Sequence, residues 1–276
     1  MLKLYTARNS ICTQKVFITL AEKELDYGVH EINLFTNEQY RPEYLAINPK
    51  GVVPALDHDG RIITESTLIC EYLDEMFPSP ALTPSDPYLR TRMRKWSKAV
   101  DEELFEATRE LSFSAMFREK MRLMTPEQRE GRFHNVGDPV KRARFKSTYE
   151  DGVESLYVFQ GIAAFEVAFR DMESALSEGT ASGRWLAGEN MTLADINMMP
   201  FVARLSYLDL LPVWIEHRPG VQVWWQRVQA LPSFSETVPG RLKDREINDM
   251  REFGAAIRKR VAERREEYLG SRQQKG

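Results

Sequence analysis

Cysteine and histidine are scarce in this chain, with two cysteines, Cys12 and Cys70, and four histidines among 276 residues. No C-x-x-C pair and no Cys/His spacing suited to zinc occurs, so no metal site is expected. The histidines, at positions 30, 58, 134 and 217, are scattered, which leaves a Ser-His-Asp hydrolase unsupported. His58, inside Asp57-His58-Asp59-Gly60, is expected at the solvent. No G-x-G-x-x-G or P-loop is present, so nucleotide chemistry is unsupported. Long apolar runs are missing too. The richest are cut by Gln160, Glu166 or Pro200 and fall short of the ~18 residues a membrane span needs. An excess of basic charge is also lacking. The 38 Lys+Arg stand against 41 Asp+Glu, a net charge of −3, without the electrostatic footprint of a nucleic-acid binder. The first residues run directly into a strand-like pattern, so no signal or transit segment is expected. Cysteine usage this sparse points to a reduced, cytoplasmic protein; a single Cys12–Cys70 disulfide is the alternative.

Hydrophobic residues make up 42% of the chain, enough for a sizeable core. Residues 2–5 read as a strand, Asn9 and Ser10 as caps of a helix with Val16, Phe17, Leu20 and Ala21 on its apolar face, and 27–33 as a second strand. Residues 52–56 read as a strand interrupted by Pro54. A proline cannot donate to a central ladder, and a cis bond that turns the backbone out of the sheet resolves that conflict. Asp57-His58-Asp59-Gly60 reads as a hairpin turn and 61–64 as the returning strand. A helix follows with Leu68, Ile69, Tyr72, Leu73 and Met76. This order predicts a parallel strand pair beside an antiparallel pair in a small α/β domain spanning 1–78. Four prolines and two serines between 78 and 87 mark a linker at 79–88. Strand signals then vanish, which predicts an all-helical domain over 89–240 and a charged, solvated helical tail over 241–276. Its first long helix, 89–124, places Phe105, Phe113 and Phe117 on one face, either as core or as an aromatic wall for a substrate. Thr192-Leu193-Ala194-Asp195 has the form of a helix capping box.

Asn48-Pro49-Lys50-Gly51-Val52-Val53-Pro54-Ala55-Leu56, Thr64-Glu65-Ser66 and Thr192-x-x-Asp195 resemble the cis-proline loop, the γ-glutamyl site and the buried capping box of the soluble glutathione transferases. The resemblance covers nearly the whole chain. It implies a thioredoxin-like α/β domain followed by an all-α domain, glutathione as cosubstrate, and a homodimer. Within the family, segments 65–76 and 86–101, and the polar insert at 124–144 with Asn135 and Pro139, are similar to the β-etherases that cleave β-aryl ethers of lignin fragments. Ser10-Ile11-Cys12 is more similar to the Ser-x-Cys of zeta-class isomerases and chlorohydroquinone reductive dehalogenases.

The chemistry needs a bound and ionised thiol. A free thiol has pKa ~8.5, so only a few per cent is thiolate at neutral pH. Ser10, where the first strand meets the first helix, suits a hydrogen bond to the glutathione sulfur, or is simply an N-cap. Cys12 shares the helix start, which favours thiolate; it is a second nucleophile or merely a small neighbour. Thr13 is a further candidate hydroxyl, whereas Cys70 reads as an ordinary buried cysteine. Val53, ahead of Pro54, leaves backbone groups for the cysteinyl backbone of glutathione. Ser66 at the start of the next helix suits the γ-glutamyl carboxylate, Glu65 the γ-glutamyl ammonium, and Gln39 is a polar contact from the loop. The expected reaction is attack of the thiolate on an electrophilic carbon of a small aromatic substrate. The alternatives are a dehalogenase or isomerase that uses Cys12, and a non-catalytic glutathione-transferase-like binding protein, which would not need Ser10, Val53, Glu65 and Ser66.

Overall fold

Strand β1 (Leu2–Thr6) runs parallel to β2 (Tyr27–Glu31) and antiparallel to β3 (Ala55–His58), which pairs antiparallel with β4 (Arg61–Thr64). The sheet order is β2-β1-β3-β4, the parallel-plus-antiparallel arrangement that the sequence predicts. The β3–β4 hairpin turns through Asp59 and Gly60, both at positive φ (52° and 83°), as a two-residue turn demands. Helix α1 (Ile11–Glu22) connects β1 to β2, α2 (Pro42–Leu45) precedes β3, and α3 (Ser66–Met76) follows β4. Val53–Pro54 is a cis peptide, and β3 starts only at Ala55, beyond the proline.

The rest is helical. Helix α4 (Pro87–Ala99) is followed by a π-helical turn (Val100–Leu104), α5 (Phe105–Ser112), a second π turn (Phe113–Phe117) and α6 (Arg118–Arg122). Then come α7 (Pro126–His134), α8 (Pro139–Asp151), α9 (Leu156–Ser177), α10 (Leu193–Tyr207), α11 (Pro212–Ile215), α12 (Pro219–Ala230), α13 (Pro232–Thr237) and α14 (Asp244–Gln273).

This computed structural model describes residues 1–134, 136–178 and 184–273, so Asn135 of the polar insert lies outside the described residues. The chain divides into two compact units: Met1–Lys98 with Gly179–Pro200 and Val223–Lys243, and Ala99–Glu178 with Phe201–Gln222 and Asp244–Gly276. In the first unit α1 buries Val16, Phe17, Ile18 and Leu20. The α13 region returns to cover it. Ser233 donates to Glu22, and the Arg241 guanidinium lies 3.8 Å from the centre of the Phe17 ring while donating to the Tyr27 hydroxyl at 2.8 Å. Asp195 is fully buried and serves as a hub, as the capping-box spacing implies. It accepts from the backbone of Leu186 and Thr192, from the Thr192 hydroxyl, and from the Trp224 indole at 2.9 Å.

Two expectations are corrected. His58 is not at the solvent: its side chain is 17% exposed, and its ring lies against Tyr72 and Phe77, with Nδ1 2.7 Å from the Tyr72 hydroxyl. The shared aromatic face of 105, 113 and 117 is also broken. The π turns widen the helix locally and shift the 3.6-residue phase. Phe113 and Phe117 join Met121, Phe133, Phe145 and Tyr149 in an apolar cluster that Phe105 does not enter. The polar insert is two helices, α8 being capped by Asp138, which accepts from Val140 N and Lys141 N. In the same unit α14 presents Met250 and Val261 to the interior and is pinned by Arg260 and Arg264 to Glu154, and by Arg265 to Glu166. The tail is therefore solvated on one side only.

Candidate functional site

All eight residues that sequence reasoning singled out lie in the first unit, around the two helix starts of its α/β part. Ser10 has extended backbone (φ −81°, ψ 116°) and is the N-cap of α1, its Oγ accepting from Thr13 N at 3.4 Å. That bond uses an oxygen lone pair and leaves the hydroxyl proton to donate elsewhere. Cys12, the second residue of the helix, is a partly exposed free thiol, whereas Cys70 is a buried free thiol. Thr13 is completely buried, and its Oγ1 has no hydrogen-bond partner among the described residues.

The loop before β3 is held from beneath. The Tyr44 hydroxyl and Asn48 Nδ2 both donate to the Val52 carbonyl at 2.7 Å. Burial pushes the Tyr44 phenol up to about 12, so it remains a proton donor at neutral pH. Gly51 sits at φ +60° with the Tyr40 ring close enough to meet any Cβ at 2.9 Å, so glycine is required there. Val53 is buried with Tyr5, Ala7, Ile32, Tyr44 and Ala55 in one apolar cluster. Among the described residues its N–H and carbonyl have no backbone partner. A buried side chain beside unpaired main chain is what an extended peptide ligand requires for strand addition.

Glu65 has φ 67° and ψ 110°, a costly conformation for a residue other than glycine, and directly precedes α3. Strain of this kind concentrates at functional sites. Its carboxylate is half exposed and accepts from Lys50 Nζ at 2.7 Å; that hydrogen bond raises the lysine pKa. Ser66, 8% exposed, is the first residue of α3, where the opening N–H groups have no intrahelical partner. Gln39 is buried, with its Oε1 unpartnered among the described residues. The first unit thus presents a helix N-terminus at α1, main chain at the cis-proline without a backbone partner among the described residues, and a second helix N-terminus at α3. The unpartnered Thr13 and Gln39 atoms add capacity for a polar ligand.

Sequence reasoning missed the supports: Lys50 against Glu65, and the buried Lys15, whose Nζ donates to Thr67 Oγ1 at 2.9 Å. The available signal was a lysine set immediately before the apolar run Val16-Phe17-Ile18. Among the described residues no group of three or more His, Cys, Asp or Glu side chains is arranged to hold a metal ion, and no helix is long and apolar enough to cross a membrane.

Comparison with known proteins gives the family. Residues 4–81 match the glutathione S-transferase N-terminal domain family and residues 163–232 the C-terminal domain family. Protein LigF of Sphingobium sp. strain SYK-6 is 30% identical over 243 residues, covering 85% of this chain and 92% of that protein. Its solved structure, described as a β-etherase, superposes with a TM-score of 0.74 at 29% identity over 87% of this chain and 99% of that one. The maleylacetoacetate isomerase of Pseudomonas aeruginosa is 47% identical over 96 residues, 34% of this chain and 45% of that protein. The tetrachloro-p-hydroquinone reductive dehalogenase of Sphingobium chlorophenolicum is 26% identical over 84% of this chain and 93% of that protein. With its mixed-sheet, thioredoxin-like first domain and helical remainder, the chain belongs to the glutathione S-transferase family, whose members use glutathione as cosubstrate.

Proposed function

We propose that this glutathione transferase cleaves a β-aryl ether of a lignin-derived aromatic compound. The observation that carries the reading is that one unit holds the Ser10 hydroxyl at the α1 start, the Val53 main chain without a backbone partner among the described residues, and the α3 start at Ser66. The likeness to LigF over 92% of its length points to the ether. Val53 N–H and carbonyl hold the cysteinyl backbone, and the α3 start with Ser66 receives the γ-glutamyl carboxylate. Ser10 donates to the sulfur and favours its thiolate. The thiolate attacks the carbon beside an aryl ketone. A C–S bond forms, the C–O bond breaks, and the phenolate leaves with the electron pair and takes a proton from water. A phenol of pKa ~10 needs little acid assistance to leave.

Cys12 supports a second reading. A partly exposed thiol two residues after Ser10 suits a reductive dehalogenase, in which Cys12 thiolate attacks the sulfur of a glutathionyl aromatic, releases the reduced arene and forms a mixed disulfide that a second glutathione resolves. A two-fold homodimer is part of the proposal. The β3–β4 hairpin and α3 expose Ile62, Leu68 and Met76 at 42%, 56% and 47%, an apolar surface suited to a second copy. Sedimentation at micromolar concentration checks it, with a species of twice 32.0 kDa expected.

The deciding experiment incubates the protein with glutathione and, in turn, aryl ethers carrying a β-ketone, chlorohydroquinones and maleyl acids, with products identified by mass. Equimolar thioether and phenol from the ethers is expected. Dechlorinated hydroquinone with no ether cleavage would replace the first reading with the second.

A further inference from the structure

We propose that Lys50 is a specificity-determining residue that competes with the α-ammonium of the γ-glutamyl group for the Glu65 carboxylate, an inference that rests on the glutathione site read above. Glu65 stands at the N-cap of α3, and its carbonyl accepts from Ile69 N at 2.8 Å. Side chains at an N-cap often accept from an N–H of the first turn. That of Glu65 does not. It turns instead to Lys50, whose Nζ lies 2.7 Å from its Oε1. Lys50 is set by its own loop. Its backbone N–H donates to Asn48 Oδ1 at 3.2 Å, and the N–H of Gly51 donates to the Asn48 carbonyl at 2.9 Å. The loop thus fixes where the lysine stem begins, while the side chain is 71% exposed and keeps room to swing.

The α-carbon of a γ-glutamyl group carries a carboxylate and an ammonium together. With the carboxylate at the Ser66 N–H, the ammonium, bonded to the same carbon, comes beside Glu65, the residue directly before Ser66. The place it needs is the place Lys50 holds. Two cations on one carboxylate repel, so the ligand either displaces the lysine or binds against its charge. Both lower the affinity for a ligand with the α-amine, and neither acts on a ligand that lacks it. The effect is modest, because an exposed ion pair contributes little. Its direction is the reverse of what a lysine in an anion site ordinarily does: removing this cation strengthens the binding of a ligand whose net charge is negative. The same competition acts on the product, since a thioether of glutathione keeps its γ-glutamyl end. Return of Lys50 to Glu65 favours release, a step that limits turnover in many enzymes.

The test titrates two ligands by calorimetry: glutathione, and its deamino analogue glutaryl-cysteinylglycine, which keeps the carboxylate and lacks the ammonium. The proteins are wild type, Lys50→Met, Glu65→Gln and the double variant. Lys50 is exposed, so its replacement leaves the fold intact. Lys50→Met should tighten glutathione about two- to fivefold and should not tighten the analogue. In the Glu65→Gln background the same change should tighten neither ligand. An unchanged or weaker affinity of Lys50→Met for glutathione would overturn the proposal. So would a gain shared by both ligands, or one that persists without the Glu65 carboxylate. A wild type that binds neither ligand would instead overturn the glutathione site itself, and this inference with it.

Discussion

Replacing Ser66 by alanine isolates one contact of the proposed glutathione site. Ser66 opens α3 and is 8% exposed, and its N–H stays in place whatever the side chain. Alanine is the best helix former, so α3 loses nothing in propensity, and the few atoms removed leave no large cavity. The change therefore deletes a hydroxyl and little else. A hydrogen bond to a charged group contributes about 1.5–3 kcal/mol, so the dissociation constant for glutathione should rise about 13- to 160-fold. The N–H groups of the helix start remain, which is why binding should weaken rather than vanish. Calorimetric titration gives the affinity, and a thermal melt of the same sample shows that the fold is intact. An unchanged affinity at an unchanged melting temperature would refute the reasoning and move the carboxylate away from α3.

Three further outcomes are expected. Cys12→Ser should keep most ether-cleaving turnover, because the attacking sulfur belongs to glutathione; accumulation of a glutathionyl hydroquinone by this variant, identified by mass, would favour the dehalogenase reading. Lys23→Met should cost about 3–5 kcal/mol in urea unfolding, because it strands the buried Asp74 carboxylate. Gly254→Ala should lower the melting temperature by several degrees, since a Cβ there would lie 1.8 Å from the Leu208 carbonyl oxygen; an unchanged melt would mean that α14 shifts freely.

The features legible in the sequence are those that local chemistry writes. Ser10 caps α1 because a short hydroxyl directly before an apolar helix can accept from a free N–H of the first turn. Pro54 had to leave the ladder, and Asp59-Gly60 had to turn. Thr192 and Asp195 meet because they stand three positions apart. What stayed hidden depends on partners far along the chain. Lys15 and Thr67 are 52 positions apart, and only the parallel run of α1 and α3 joins their side chains. His58 is covered because Tyr72 and Phe77 happen to be carried over the hairpin. The two π turns carry no proline or glycine to announce them, so the phase of the aromatic residues beyond them could not be counted from spacing alone.

The return of residues 223–243 to the first unit also fixes an order of events on the ribosome. The outer face of α1, with Phe17, receives its cover from Arg241 and the α13 region, about 145 residues after Lys98 has emerged. At 5–20 residues per second, the nascent α/β part waits roughly 7–30 s with that face uncovered. A nascent chain released before residue 243 would carry the glutathione-binding half with an apolar helix face open to chaperones and to other chains.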